Sequence, residues 1–298
     1  MAKMAKASRL LVRFGWTQAL CCLFPVVIFS AMAVTKAAPI PHFPRYDLIL
    51  LICLAMQAAM VVFKLETLDE LKVITLFHVI GLGLELFKVH IGSWSYPEEA
   101  WTKIGGVPLY SGFMYASVAS YICQAWRRFG LRFVRLPKPY WMWAVAVVIY
   151  ANFFTNHYIA DVRWWIVLAL LALFFRSFVE FRVGGRTLRM PLLVSFALIA
   201  FFIWVAENVS TFLGAWQYPN QEAHWNVVHW GKISSWFLLV IISIILVVQL
   251  KDLKYRVLPR AEARSEAARS GESGEADPIK RSSTVPEEWR DGEAHVCR

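Results

Sequence analysis

The sequence predicts an all-α integral membrane protein of about eight transmembrane helices, arranged as two parallel four-helix repeats. Three observations carry that expectation. Of the 298 residues, 58% are hydrophobic and only 17% charged, too little charge to cover the surface of a soluble chain this long. Apolar stretches close to the ~20 residues needed to cross a bilayer recur along the chain. One motif, E-x6-G-x-W-x-Y-P, is written twice, as Glu85, Gly92, Trp94, Tyr96, Pro97 and as Glu207, Gly214, Trp216, Tyr218, Pro219, at one offset (207 − 85 = 122 and 219 − 97 = 122).

The expected helices cover roughly 15–34, 47–63, 73–91, 109–126, 139–155, 162–180, 191–213 and 230–249. Helices one and five, and four and eight, are spaced by about the motif offset, as a duplicated four-helix unit requires. The first repeat is set at 1–128 and the second at 129–257. A disordered cytoplasmic tail is expected over 258–298, where Ala, Ser, Gly, Glu and Arg displace large apolar residues. The N-terminal basic residues, apolar run and Ala31-Met32-Ala33 also read as a secretory signal with its cleavage site. That run is long for a signal, and its removal would strip the first repeat of a helix that the second keeps.

Charge supplies the orientation. Lys3, Lys6, Arg9 and Arg13 precede the first helix, and Arg127, Arg128, Arg132, Arg135 and Lys138 separate the fourth from the fifth. Arg182, Arg186 and Arg189 lie between the sixth and seventh, and Lys251, Lys254 and Arg256 follow the eighth. All fall on one face, which the positive-inside rule makes cytoplasmic, with both termini inside. The net charge of +10 therefore calls for a lipid bilayer as partner and for no nucleic acid. Cys21, Cys22, Cys53, Cys123 and Cys297 form no C-x-x-C pair and read as small hydrophobes rather than a disulfide framework.

Both G-x-W-x-Y-P segments then fall at the outer face, after helices that run in the same direction. The repeat is accordingly parallel, about an axis along the membrane normal, an arrangement that some transporters use. Each Glu lies seven residues before its Gly, about 10 Å below the outer end of its helix. A charged carboxylate in hydrocarbon costs about 2.5 kcal/mol or more, so equal placement suggests a shared task. If symmetry brings Glu85 and Glu207 together, repulsion and poor solvation keep a proton available for acid–base work or proton coupling. If it does not, each is hydrogen-bonding glue between helices, Glu85 with Lys88 for instance. Trp94, Tyr96, Trp216 and Tyr218 either anchor the chain at the interface or lie over the carboxyl groups as a lid.

Other polar residues share this half. His78 sits on the face of Glu85, and Asn208 follows Glu207. The outer end of the fifth helix, from Asn152 to Arg163, holds His157 and Asp161 one turn apart, where Asp161 orients the imidazole or pairs with Arg163. His90, His157, His224 and His229 face the same side in no zinc-site spacing, so no metal is expected and no cofactor is indicated. Gly184-Gly185-Arg186 lacks the remainder of a phosphate loop and reads as a turn between helices. Gly81 and Gly83 read as points of close helix packing.

The arrangement Phe77-His78, Glu85, Gly92-x-Trp94-x-Tyr96-Pro97, Gly106-Val107-Pro108-Leu109, Asn152 to Arg163, and Glu207 with Tyr218-Pro219 resembles an uncharacterised bacterial inner-membrane family, domain of unknown function 817. The resemblance covers roughly residues 10–257 and implies a multi-span membrane protein with no established activity. Locally, Glu85 through Tyr96 followed by Gly106-Val107-Pro108-Leu109 is similar to carotenoid hydratases and heterodimeric-type lycopene cyclases. Those families use buried carboxylates to protonate or hydrate isoprenoid double bonds. The cyclases follow the Pro with Leu and paired Glu, where this chain has Leu109-Tyr110-Ser111; Glu85 and Glu207 remain as proton donors.

Three functions fit. The first is an intramembrane enzyme or binder of an isoprenoid or other lipid, with Glu85, Glu207, His157 and Asp161 as acid–base residues. His78, Trp94, Tyr96, Asn152, Asn208, Trp216 and Tyr218 would then enclose an apolar or small-molecule ligand. The second is a proton-coupled transporter using the same carboxyl groups, and the third is a structural or accessory membrane protein. No charge trail crosses the inner half, which favours a one-sided site.

Overall fold

A computed structural model describes residues 2–249; the expected tail at 258–298 and the basic Lys251, Lys254 and Arg256 lie outside the described residues. The chain is predominantly helical. Its helices are α1 (Ala2–Cys21), α2 (Leu23–Ala37), α3 (Arg45–Val62), α4 (Leu68–His90), α5 (Tyr110–Phe129), α6 (Pro139–Thr155), α7 (Arg163–Phe174) and α8 (Leu192–Phe212), followed by α9 (Lys232–Gln249). Four of them, α3, α4, α8 and α9, are long and apolar enough to cross a membrane. A fifth candidate is α1 with α2, apolar together but bent by 66° at their junction. Exposed apolar side chains such as Leu51, Val79, Trp165, Leu198 and Phe202 form the surface that lipid would cover and that water would not tolerate at this density.

Local chemistry sets the helix limits. Thr67 and Glu70 form a reciprocal capping box at the start of α4, satisfying two of its orphan donors. Pro139 occupies the first turn of α6, where its missing N–H costs nothing. At the other end of α5, Gly130 takes φ +55°, the left-handed stop that glycine permits.

Three expectations are corrected here. The stretch 15–34 is not one helix, because α1 and α2 meet within it at a 66° bend. The apolar stretch 162–180 is not one helix either: α7 ends at Phe174 after 12 residues, about 18 Å of helix. Residues Phe178–Val183 then form a strand. Gly184-Gly185, expected to turn between helices, instead closes a β-hairpin, with φ of +56° and +76° as a two-residue type I′ turn requires. That hairpin pairs β4 (Phe178–Val183) with β5 (Arg186–Pro191), and β3 (Arg132–Val134) completes an antiparallel sheet in the order β3-β4-β5. The period-2 alternation of Phe178-Val179-Glu180-Phe181-Arg182-Val183 is the signal that apolar content masked.

The sheet ties the α5–α6 connection to the α7–α8 connection, so α6 and α7 leave it and return to it as a helical hairpin. A smaller ribbon, β1 (Lys103–Ile104) with β2 (Val107–Pro108), lies between α4 and α5. The central helix is α5: Ser111, Ser117, Ser120 and Gln124 are buried on it, and protein rather than lipid surrounds them. At the end of α8, where carbonyls lose their helical partners, Lys36 bonds Phe212 O at 2.6 Å and Arg45 bonds Leu213 O at 2.7 Å and Gly214 O at 3.2 Å. Cations are well placed there by the helix dipole as well.

Candidate functional site

Each motif begins at the end of a helix. Gly92 takes φ +71° and Gly214 φ +75°, a conformation open to glycine and strained for other residues, and both turn the chain back over α4 and α8. The turns are built alike: Ser93 N–H bonds Lys88 O at 2.9 Å, and Ala215 N–H bonds Ser210 O at 2.9 Å. The returning segments then meet. Ser95 and Gln217, at equivalent motif positions, exchange both backbone hydrogen bonds, at 2.9 and 3.0 Å.

Beneath this junction each carboxyl group is held by aromatic donors. Glu85, 3% exposed, accepts from Trp94 Nε1 at 2.7 Å, Tyr96 OH at 2.8 Å and Tyr115 OH at 2.9 Å. Glu207 accepts from Tyr218 OH and, at 2.7 Å, from Trp236 Nε1 of α9. The motif Tyr performs the same task in both copies. Trp94 does so only in the first, because Trp216 packs into the core and Trp236 takes its place at Glu207. The two carboxyl groups are not hydrogen-bonded to one another, and Glu85 forms no ion pair with Lys88.

A cavity of about 470 Å³ opens beside this arrangement, between α4, α5, α6 and α9. Glu207, Trp94, Tyr218, Asn152, His157 and Asp161 line it, six of the residues that sequence reasoning selected. Glu85 lies behind Trp94 and Tyr115. Tyr96 is packed against Tyr46 and Tyr110. His78 is elsewhere, its ring against Phe113, and Asn208 pins the segment before α9 by accepting from Val228 N–H at 2.8 Å. Of the two roles expected of Asp161 the structure shows the second, an ion pair with Arg163 at 3.0 Å, while Asn152 bonds Asp161 and Val162 N–H to close the α6–α7 tip.

Sequence reasoning missed the cations of this cavity as ligand-facing groups. Lys88, only 4% exposed, donates to Phe153 O at 3.0 Å and contacts His157 Nε2 at 2.9 Å. The ammonium of Lys232 lies 5.2 Å from the Trp94 ring and 4.5 Å from the Tyr218 ring, a cation–π box on the side of both carboxyl groups. Arg163 completes the set. Desolvation, then the charges of Lys88 and Lys232, push the His157 imidazole below its ordinary range, against Asp161, so neutral His157 is the natural acceptor for Lys88. Among the described residues no three His, Cys, Asp or Glu side chains gather as a metal site would require.

A family model described as "Protein of unknown function (DUF817)" matches residues 10–244. The chain belongs to this family. It is also 57% identical over 257 residues to "Uncharacterized protein YoaT" of Bacillus subtilis (strain 168), covering 86% of this chain and 97% of that protein. No solved structure matches. Neither match carries the resemblance to carotenoid hydratases and lycopene cyclases. The DUF817 match spans both motifs and all of the cavity lining. One signal for the missed residues was present in the sequence: Lys232 opens the last apolar stretch, a costly place for a cation, as Lys88 does near the end of α4.

Proposed function

We propose that this DUF817 protein is a binding protein of the cytoplasmic membrane that holds one amphiphilic molecule in the outer-half cavity, with Glu207 as the acid–base group facing it. The cavity itself carries the reading. Its lining combines polar groups, Glu207, His157 and Asn156 among them, with apolar ones such as Leu84, Leu239 and Ile242, and its volume lies within the roughly 300–1,000 Å³ of small-molecule sites. Below it, sharing Leu84, Tyr115, Tyr150 and Leu239, is an apolar void of about 20 Å³, which extends the lining suited to a hydrocarbon chain. A proton-coupled carrier would need a polar path onward to the basic face, whereas the groups around that void include Phe77, Ile80 and Val118.

In this reading α5 and the α6–α7 hairpin join the candidate spans, and the chain crosses the membrane about eight times as two parallel repeats. The sheet supports it by joining the two connections that carry Arg132 and Arg182 to Arg189. The helix positions support it too: α4 and α8 end at His90 and Phe212, and α5 and α9 begin at Tyr110 and Lys232 (212 − 90 = 122 and 232 − 110 = 122). Glu85, answered by three donors, is given a structural task, and the acid–base task is left to Glu207.

Mass spectrometry of molecules co-purifying with the protein tests the proposal. Wild type should carry a stoichiometric amphiphile that Leu239→Trp, which fills the cavity, loses. Equal content in the two proteins would sink the binding reading. Glu207→Gln should change the profile of bound species, and an unchanged profile would remove the acid–base role.

A further inference from the structure

Resting on the binding reading above, we propose that the bound amphiphile has one apolar chain and an anionic headgroup, carboxylate or phosphate monoester, received by Lys88 with Lys232 and Arg163. The cations around the cavity are unequally answered. Arg163 is paired with Asp161. Lys232, between the Trp94 and Tyr218 rings, lies in the fields of Glu207 and Glu85. Lys88 is the exception: its contacts are a backbone carbonyl, the His157 ring nitrogen and the Phe153 and Phe87 rings at 4.2 and 5.6 Å, all uncharged in this state, and Asp161, already paired with Arg163, acts on it only from beyond ion-pair distance. No carboxylate lies within ion-pair distance of Lys88 among the described residues.

A buried ammonium without a counter-ion loses hydration that neutral partners replace only in part. An anion beside it restores the balance and gains strength from the low dielectric. Nearby, Asn156 Oδ1 is buried without a hydrogen-bond partner on the same cavity wall, ready to accept from a protonated headgroup oxygen or hydroxyl. Glu207 and Asp161 also line the cavity, and both are engaged, the first by Tyr218 and Trp236, the second by Arg163. Headgroup and tail are thereby assigned to ends: Lys88, His157 and Asn156 at the α6–α7 tip, Leu239 and Ile242 below. The volume admits a single chain.

Saturable one-to-one binding of dodecanoate, dodecyl phosphate and dodecanol to the full-length protein, in an uncharged detergent and read by native mass spectrometry, tests this. Wild type should bind at least one of the two anions ten-fold or more tighter than dodecanol, and whichever anion leads identifies the headgroup. Lys88→Met should abolish that preference while dodecanol still binds, and Lys88→Arg should restore most of it. Dodecanol binding as tightly as both anions in wild type overturns the anionic assignment and leaves the cavity reading intact. A preference unchanged in Lys88→Met overturns the role of Lys88. If none of the three binds in a manner that Leu239→Trp abolishes, the binding reading fails as well.

Discussion

At the scale of single residues, the two motif carboxyl groups separate into different tasks because their donors differ. Glu85 receives three hydrogen bonds from two loop aromatics and one helical Tyr, so it pins the returning segment to α4 and α5. Glu85→Gln replaces an acceptor oxygen by a donor facing donors; the loss should be about 1–3 kcal/mol, read as a lowered Tm in detergent. Glu207→Gln, with two donors and a cavity face, should cost less stability. A larger loss at Glu207 than at Glu85 would contradict this division. His157 supplies the pH dependence. Its imidazole is held below the ordinary value of 6.5, so its neutral-state contribution is complete above about pH 6.5 and is lost as pH falls through the lower, folded-state value. Between pH 7 and 5 the protein should lose stability, and His157→Gln should flatten that slope in a thermal-shift series.

At the scale of elements, the contact between α4 and α5 sets where Glu85 finds its third donor. A Cβ on Gly81 would come within 2.4 Å of the Tyr115 ring, whereas a Cβ on Gly83 would meet nothing within 4 Å. Gly81→Ala should therefore cost about 1–3 kcal/mol through overpacking, with Tyr115 displaced from Glu85, and Gly83→Ala should be close to neutral. Equal Tm values for the two variants would show that α5 shifts freely. The same comparison shows what was readable: both glycines signal close packing in the sequence, but which one touches a neighbour depends on the helix's rotation. In α7 and β4 the error has another source. Apolar content alone does not separate helix from strand, and the hairpin was visible only to a reading that put the alternation and Gly184-Gly185 ahead of hydropathy.

At the scale of the whole molecule, topology makes the testable claim. In a background without native cysteines, Tyr158→Cys at the exposed α6–α7 tip should react with a membrane-impermeant maleimide in intact cells. Thr187→Cys on the exposed face of β5 should react only after permeabilisation. The opposite pattern would invert the protein, and labelling of both from outside would remove the membrane from between them. By itself, the sequence determined the membrane class, the position of most helices, the paired motifs, and six of the residues that line the cavity. It could do so because hydrocarbon surroundings, glycine turns and buried charge each leave a local mark on composition or spacing. Only the tertiary structure decided that Glu85 is enclosed while Glu207 faces a cavity, that Trp236 replaces Trp216, and that Lys88 stands there without a carboxylate. Those outcomes depend on how α5, α6 and α9 rotate and approach across long sequence separations, and no local pattern encodes the direction in which a side chain meets a distant partner.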